Sequence, residues 1–373
     1  MDLTKTCYGT WSGGRFMHFG EMVSEERYLA LIRHAFAQGI RTFMTADVYG
    51  VGRADEMLGQ ALADIPREDY CLVGMLGHDF YKGERQGSAG YPRFTNPEMH
   101  REKDYASFLR MACEKSLERC KTDRFDLVML HNPDELGYTS DAVWEGMRRL
   151  KDEGLADRLG LAPGPANGFT LDMLHSFERF EEVMDWAMII LNPLESWPGQ
   201  HVLAGAAKHN VKLLTRVVDY GGVFHDDVRP GHDFRPGDHR AYRPEGWVER
   251  GCERIEKMRP IADKYGLSML QFASIWNLSQ KPVESVVPTF IQEAGDDARP
   301  VEEKIDDLAA LPMDITLTAE EVAEIRAIGD NTGCMKLKGA SQRHDGPCER
   351  PDEWPMRSEL LELAEAQGVG NDW

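Results

Sequence analysis

Residues 39–50 read Gly39-Ile40-Arg41-Thr42-Phe43-Met44-Thr45-Ala46-Asp47-Val48-Tyr49-Gly50. Gly39 is a helix stop, because a residue without a side chain suits the left-handed turn that ends a helix. Residues 40–45 then form a short apolar run of the kind that becomes a buried strand. A helical stretch with Leu29, Ile32 and Phe36 on one face precedes the run, and another at 53–64 follows it. The rhythm continues outward. Extended runs stand at 6–11, 70–75, 125–131, 158–162, 186–191, 211–218 and 284–288, with helical stretches at 104–120, 140–153, 169–177 and 202–209 between them. Eight short apolar strands alternating with amphipathic helices predict an α/β fold, a parallel eight-stranded (β/α)8 TIM barrel. Residues 1–329 are assigned to the barrel, and 330–373 to a C-terminal extension packing on it.

Composition narrows the partners. The 373 residues are 42% hydrophobic and 28% charged, as in a folded domain. Sixty-three acidic against forty-three basic residues give a net charge of −20, which repels nucleic acid and anionic lipid surfaces. Apolar runs such as 127–130 and 188–191 fall far short of the roughly 20 residues that cross a bilayer. Met1-Asp2-Leu3-Thr4-Lys5 carries no signal-peptide pattern, so a cytoplasmic protein is expected. Seven cysteines without a Cys-x-x-Cys pair read as reduced thiols. A small-molecule substrate is the expected partner, and the helical stretch at 357–367 is a candidate homo-oligomer contact.

In a barrel of this kind, chemistry gathers where strands end and loops begin. Tyr49 and His131 fall at neighbouring strand ends, where a phenol and an imidazole can together polarise a carbonyl oxygen. Asp47 is expected to be exposed at the same mouth as a reserve base. Trp11, His18, His78, Asn192, Arg216 and Asp219 are the candidate substrate wall, with Arg216 suited to a carboxylate or phenolate. His18, His78, Asp79 and Glu195 show no recognised ligand spacing, so no metal is expected. The stretch 224–243 is long enough to form a lid.

The run from Gly39 to Gly50, followed by Gly52, Glu56, Leu58-Gly59 and Ala61-Leu62, resembles the second-strand signature of the aldo/keto reductase superfamily. Asp126-Leu127-Val128-Met129-Leu130-His131-Asn132-Pro133-Asp134 is similar to its fourth-strand motif, and Val286-Val287-Pro288 to its last strand. The resemblance implies a barrel that reduces carbonyls with NADPH, using a tyrosine assisted by a lysine, a histidine and an aspartate. Tyr49 and His131 keep two of those places. The aspartate place is Met44 and the lysine place is Met75, so these two positions are vacated. Ala162-Pro163 stands where the family has a Ser-Asn pair for the nicotinamide, and Met188 where it has a glutamine. After the last strand, acids in 293–304 replace bases.

Four altered places weaken the same cofactor-dependent chemistry. The sequence therefore favours a cofactor-independent lyase, dehydratase or isomerase acting through Tyr49 and His131 on a small hydroxylated or aromatic substrate. No cofactor is favoured, the cofactor-binding residues are unknown, and NADPH or NADH remains an option. The alternative is an NAD(P)H-dependent reductase or dehydrogenase with an altered site. A third reading is a non-catalytic small-molecule-binding barrel. Lys336 or Lys338 of the tail is a candidate substitute for the missing lysine.

Overall fold

The helix ahead of Gly39 is α1 (Glu25–Ala37), and Ser24 starts it by accepting the Arg27 amide on its hydroxyl. In chain order the elements are β1 (Cys7–Gly9), α1, β2 (Thr42–Ala46), α2 (Arg53–Ala61), β3 (Cys71–Leu76), α3 (Tyr105–Cys120) and β4 (Leu127–His131). They continue with α4 (Glu135–Thr139), α5 (Asp141–Asp152), β5 (Leu159–Ala162), α6 (Thr170–Phe180), β6 (Trp186–Ile190), α7 (Val202–Lys208) and β7 (Lys212–Arg216). The last are α8 (Trp247–Lys264), α9 (Met269–Leu278), β8 (Val283–Val287), α10 (Val301–Ala309) and α11 (Ala319–Ile328). This computed structural model describes residues 1–86, 90–164, 170–243, 245–332, 362 and 366.

The strands lie parallel in the order β1 to β8. A parallel bridge between Thr6 and Val286, with the Val286 amide on the Lys5 carbonyl at 2.9 Å, brings the last strand back to the first. The (β/α)8 barrel read from the sequence is the observed fold. Strand alternation sorts the core into two layers. Cys71, Val73 and Met75 of β3 face the barrel interior with Met44, Met129, Trp186, Met188 and Leu214. Leu72 and Leu76 face outward and pack under the helices. Three helices, α4, α8 and α10, were not foreseen. The short α4, capped by Asp134 on the Gly137 amide, gives too few residues for a periodicity, and α8 follows directly on the irregular segment.

The segment after β7 is tied down at three points. The Asp238 carboxylate accepts the Gly20 amide at 2.7 Å, the His239 amide meets the His18 carbonyl at 2.9 Å, and Arg240 reaches Glu293 beyond β8. After α11, Asn331 pairs both amide atoms with the backbone of Trp197, at 2.9 and 2.8 Å. Apart from 362 and 366, the extension from 333, with Lys336, Lys338 and the 357–367 stretch, lies outside the described residues.

Candidate active site

Tyr49 is presented by the turn after β2, where its amide bonds to the Ala46 carbonyl at 3.0 Å. His131 closes β4 and faces the barrel axis, two residues beyond the interior Met129. Their rings meet edge to face with centroids 5.7 Å apart. On the far side of His131 stands His78 at 5.2 Å, and on the far side of Tyr49 stands Trp11 at 6.3 Å. The mouth thus carries a continuous wall of four rings. Below it, Met44, Met75 and Met188 are buried and form an apolar floor, with thioethers filling the two vacated positions.

Burial sets the protonation states. It pushes the Tyr49 phenol up to about 12, against the pull of the Arg216 charge. It pulls the His131 imidazole down to about 3, helped by the positive Arg93 and Arg216. His78 is held well below the ordinary histidine range by burial, then by His131 and Arg93. At neutral pH the site therefore offers a protonated phenol beside two neutral imidazoles. Nδ1 of His131 and Nδ1 of His78 are buried with no hydrogen-bond partner among the described residues.

The remaining candidates separate into those at the mouth and those absorbed by the scaffold. Arg216 ends β7 with Nη2 on the carbonyls of Pro163, at 3.1 Å, and Gly164. Trp11 gives its indole N–H to the Thr289 hydroxyl at 3.2 Å. Asp47 is not exposed at the mouth as expected: it is fully buried, and neither carboxylate oxygen has a hydrogen-bond partner among the described residues. Burial and the nearby Asp55 hold its carboxyl well above the usual range. Asn192 is also fully buried, giving its amide to Glu195 and the Val217 carbonyl at 3.0 Å each and accepting the Leu194 amide, so it shapes the loop after β6. Asp219 accepts the Gly222 amide at 3.0 Å and the Thr289 amide at 2.8 Å, joining the β7 and β8 ends. His18 is exposed at the rim, edge-on to His239. Asp79 is held by His100 at 2.8 Å.

Two residues that sequence reasoning passed over complete the picture. Arg243 lies against the turn after β7 with Nη1 buried and without a hydrogen-bond partner, its guanidinium 4.2 Å from the centroid of the Trp247 ring. A Cβ on Gly221, whose φ is +67°, would fall 1.9 Å from that nitrogen, so glycine is what lets the cation settle there. Arg240 clamps Glu293 through two bonds of 2.5 and 2.9 Å and Asp238 through bonds of 2.8 Å from Nη2 and 3.0 Å from Nε, all three side chains being buried. A glycine pair followed by arginines at 240 and 243 was the available signal, but which arginine pairs and which stays open depends on the loop's path. The acids after β8 were expected to repel a phosphate. One of them, Glu293, is instead paired inside the protein, its carboxyl held down to about 2 by His232 and Arg240 against burial.

The family model for aldo/keto reductases matches residues 5–330. The chain belongs to the aldo/keto reductase family. A probable voltage-gated potassium channel subunit beta from Oryza sativa subsp. japonica is 24% identical over 340 residues, covering 88% of this chain and 93% of the relative. Among solved structures, the glycerol dehydrogenase AKR11B4 of Gluconobacter oxydans superposes with a TM-score of 0.67 at 24% identity, covering 88% of this chain and 92% of the other. An aldo-keto reductase from Klebsiella pneumoniae in complex with NADPH gives 0.58 at 19%, covering 94% and 95%. Family membership overturns the lyase, dehydratase or isomerase expected from the sequence, and with it the ranking of non-redox above redox chemistry. The preference for no cofactor is corrected too: the family is one of reductases, and the acidic loop, one of the four altered places behind that preference, has its Glu293 paired with Arg240 inside the protein.

Proposed function

We propose that this aldo/keto reductase family member is an NAD(P)H-dependent oxidoreductase that interconverts a small carbonyl compound and its alcohol. The observation that carries the reading is the Tyr49–His131 pair, 5.7 Å between rings, standing over an apolar floor at the barrel mouth. The neighbours named glycerol dehydrogenase and NADPH complex support it. A dinucleotide asks for an apolar surface under its nicotinamide and a cation for its phosphates. Met44, Met75, Met188 and Trp11 supply the first, and the open Nη1 of Arg243 on the Gly221 turn supplies the second. The residues present fit the group.

When bound, the nicotinamide supplies or accepts the hydride. His131, neutral, donates one N–H to the carbonyl oxygen and fixes its direction. Tyr49 is the acid: its Oη passes a proton to that oxygen as negative charge develops there, and takes it back in the alcohol-oxidising direction. Met44 and Met75 exclude water from beneath the reacting carbon. Asp47, sealed in the scaffold, takes no proton in this scheme. His78, Arg216 and Trp11 form the wall against which the rest of the substrate lies.

No helix among the described residues is long and apolar enough to cross a membrane, and the cysteines described are free, which supports a cytoplasmic reading. Titration with NADPH and NADH, followed by nicotinamide fluorescence, tests the function together with turnover of an aldehyde and ketone panel. Micromolar binding with turnover that falls by about 100-fold to 10,000-fold in Tyr49→Phe is expected. No binding at millimolar cofactor, or full activity in Tyr49→Phe, overturns the reading.

A further inference from the structure

Leu214 of β7 faces the barrel interior, so Arg216, two residues further on, projects to the same side above it. The other axis-facing side chains near the strand ends are Met75, Ala162, Met188 and Val287, all apolar, together with His131. Among these, Arg216 is the single charge. On the third strand, where the family resemblance places a lysine, Met75 carries none. Among the axis-facing side chains the positive charge therefore comes from the seventh strand, while Arg93 acts on the two histidines from the loop after β3.

That guanidinium has no anion of its own. Nη2 rests on two backbone carbonyls, Pro163 and Gly164, and Nε is buried with no hydrogen-bond partner among the described residues. No described carboxylate forms an ion pair with it. Glu195 and Asp219 are the acids of the adjoining loops, and both are engaged: Glu195 accepts from Asn192, and Asp219 from the amides of Gly222 and Thr289. A half-buried cation that rests on carbonyl dipoles and feels the Glu195 carboxylate without pairing with it is weakly compensated, and an arriving anion gains what the scaffold withholds. In a chain of net charge −20, such a site is a local exception. The groups that interact with its charge are the phenols of Tyr49 and Tyr138, the neutral ring of His131 and, without an ion pair, the Glu195 carboxylate. One guanidinium matches the single charge of a carboxylate better than the double charge of a phosphate.

We propose that the substrate is a carboxylate-bearing carbonyl compound, an oxo acid, whose carboxylate docks on Arg216 while its carbonyl oxygen meets Tyr49 and His131. This rests on the oxidoreductase reading for the carbonyl, but the carboxylate site is a statement about binding. Docking has a consequence for the chemistry: by cancelling the Arg216 charge, the carboxylate keeps Tyr49 in its phenol form, the form that donates to a carbonyl.

The test uses matched pairs, glyoxylate against acetaldehyde and 5-oxopentanoate against pentanal, by calorimetric titration of the full chain with and without NADPH, and by turnover. The expected result is that at least one acid binds about 10-fold to 100-fold more tightly than its neutral partner, and that Arg216→Gln abolishes the difference with the thermal midpoint preserved. In turnover the same loss appears in KM more than in kcat. Equal binding of acid and neutral partner, no binding of any probe, or an acid preference that survives Arg216→Gln overturns the proposal. Acid-selective, Arg216-dependent binding without turnover supports the carboxylate site and counts against the oxidoreductase reading instead.

Discussion

Replacing Arg240 by methionine removes the cation that joins the segment after β7 to the loop after β8. In the folded chain its guanidinium is 1% exposed and meets Glu293 at 2.5 and 2.9 Å and Asp238 at 2.8 Å. The variant keeps two buried carboxylates and takes away their counter-charge, a change that costs about 3–5 kcal/mol in comparable buried pairs. With an unfolding entropy of about 2.1 cal/mol/K per residue, a chain of 373 residues loses about 4–6 °C in its thermal midpoint. The loss carries a pH signature. Glu293 is depressed to about 2, below its ordinary 4.5, so its contribution is fully present above pH 4.5 and disappears as pH falls toward 2. Without Arg240 much of that depression goes, and the gap between wild type and variant narrows as the pH drops through that window. Thermal unfolding of wild type, Arg240→Met and Arg240→Met/Glu293→Gln at pH 7 and pH 3.5 measures all three terms. The double variant recovers part of the loss, because it no longer buries a Glu293 carboxylate left with His232 alone. A midpoint for Arg240→Met within 1 °C of wild type at pH 7, or a double variant no better than the single, refutes the reasoning.

Other outcomes follow from the same geometry. Arg243→Met weakens NADPH binding by about 10-fold to 100-fold, since the open guanidinium on the Gly221 turn is the candidate phosphate contact; fluorescence titration reads it, and unchanged affinity removes that assignment. With the Tyr49 phenol at about 12 and the His131 imidazole at about 3, neither group changes state between pH 5 and 9. The kcat/KM for carbonyl reduction is therefore flat across that range, and a limb near pH 6.5 traced to His131 contradicts the burial argument. Asp47→Asn keeps reductase activity and melts at the same temperature as wild type or higher at pH 7. The raised carboxyl of Asp47 makes its ionised form a burden above the unfolded-state pKa, and the amide removes that burden. An activity loss beyond about tenfold would restore Asp47 to a chemical role.

Much of the fold was open to reading because its signals are local. Gly39 as a helix stop, the apolar run that became β2, and the helix that Ser24 starts are short-range features of the kind that sequence patterns report directly. Tyr49 and His131 were legible for a related reason. Each sits at the end of a recognisable strand, and barrel topology sends strand ends to one mouth. Asp47 was misplaced because strand alternation says which way a side chain leaves the sheet but not what closes over it. Asn192 and Asp219 were taken for substrate contacts, yet the amides that occupy them belong to loops whose paths no periodicity encodes.

The largest correction concerned charge. Counting acids after the eighth strand was one of four grounds that led away from a nicotinamide cofactor, and it misled because a sequence tallies charges without their partners. Glu293 and Arg240 lie 53 residues apart and meet only once the segment after β7 folds back across the rim. By itself the sequence determined the alternation of strands and helices, the ring pair at the mouth and the loss of charge at Met44 and Met75. Only the tertiary structure decided which acids are paired, that Asp47 is sealed away, and that Arg216 and Arg243 keep nitrogens without a hydrogen-bond partner among the described residues. The reason is physical: local sequence governs backbone preference and face, whereas the effective charge and protonation of a group depend on its burial and on neighbours brought to it from distant parts of the chain.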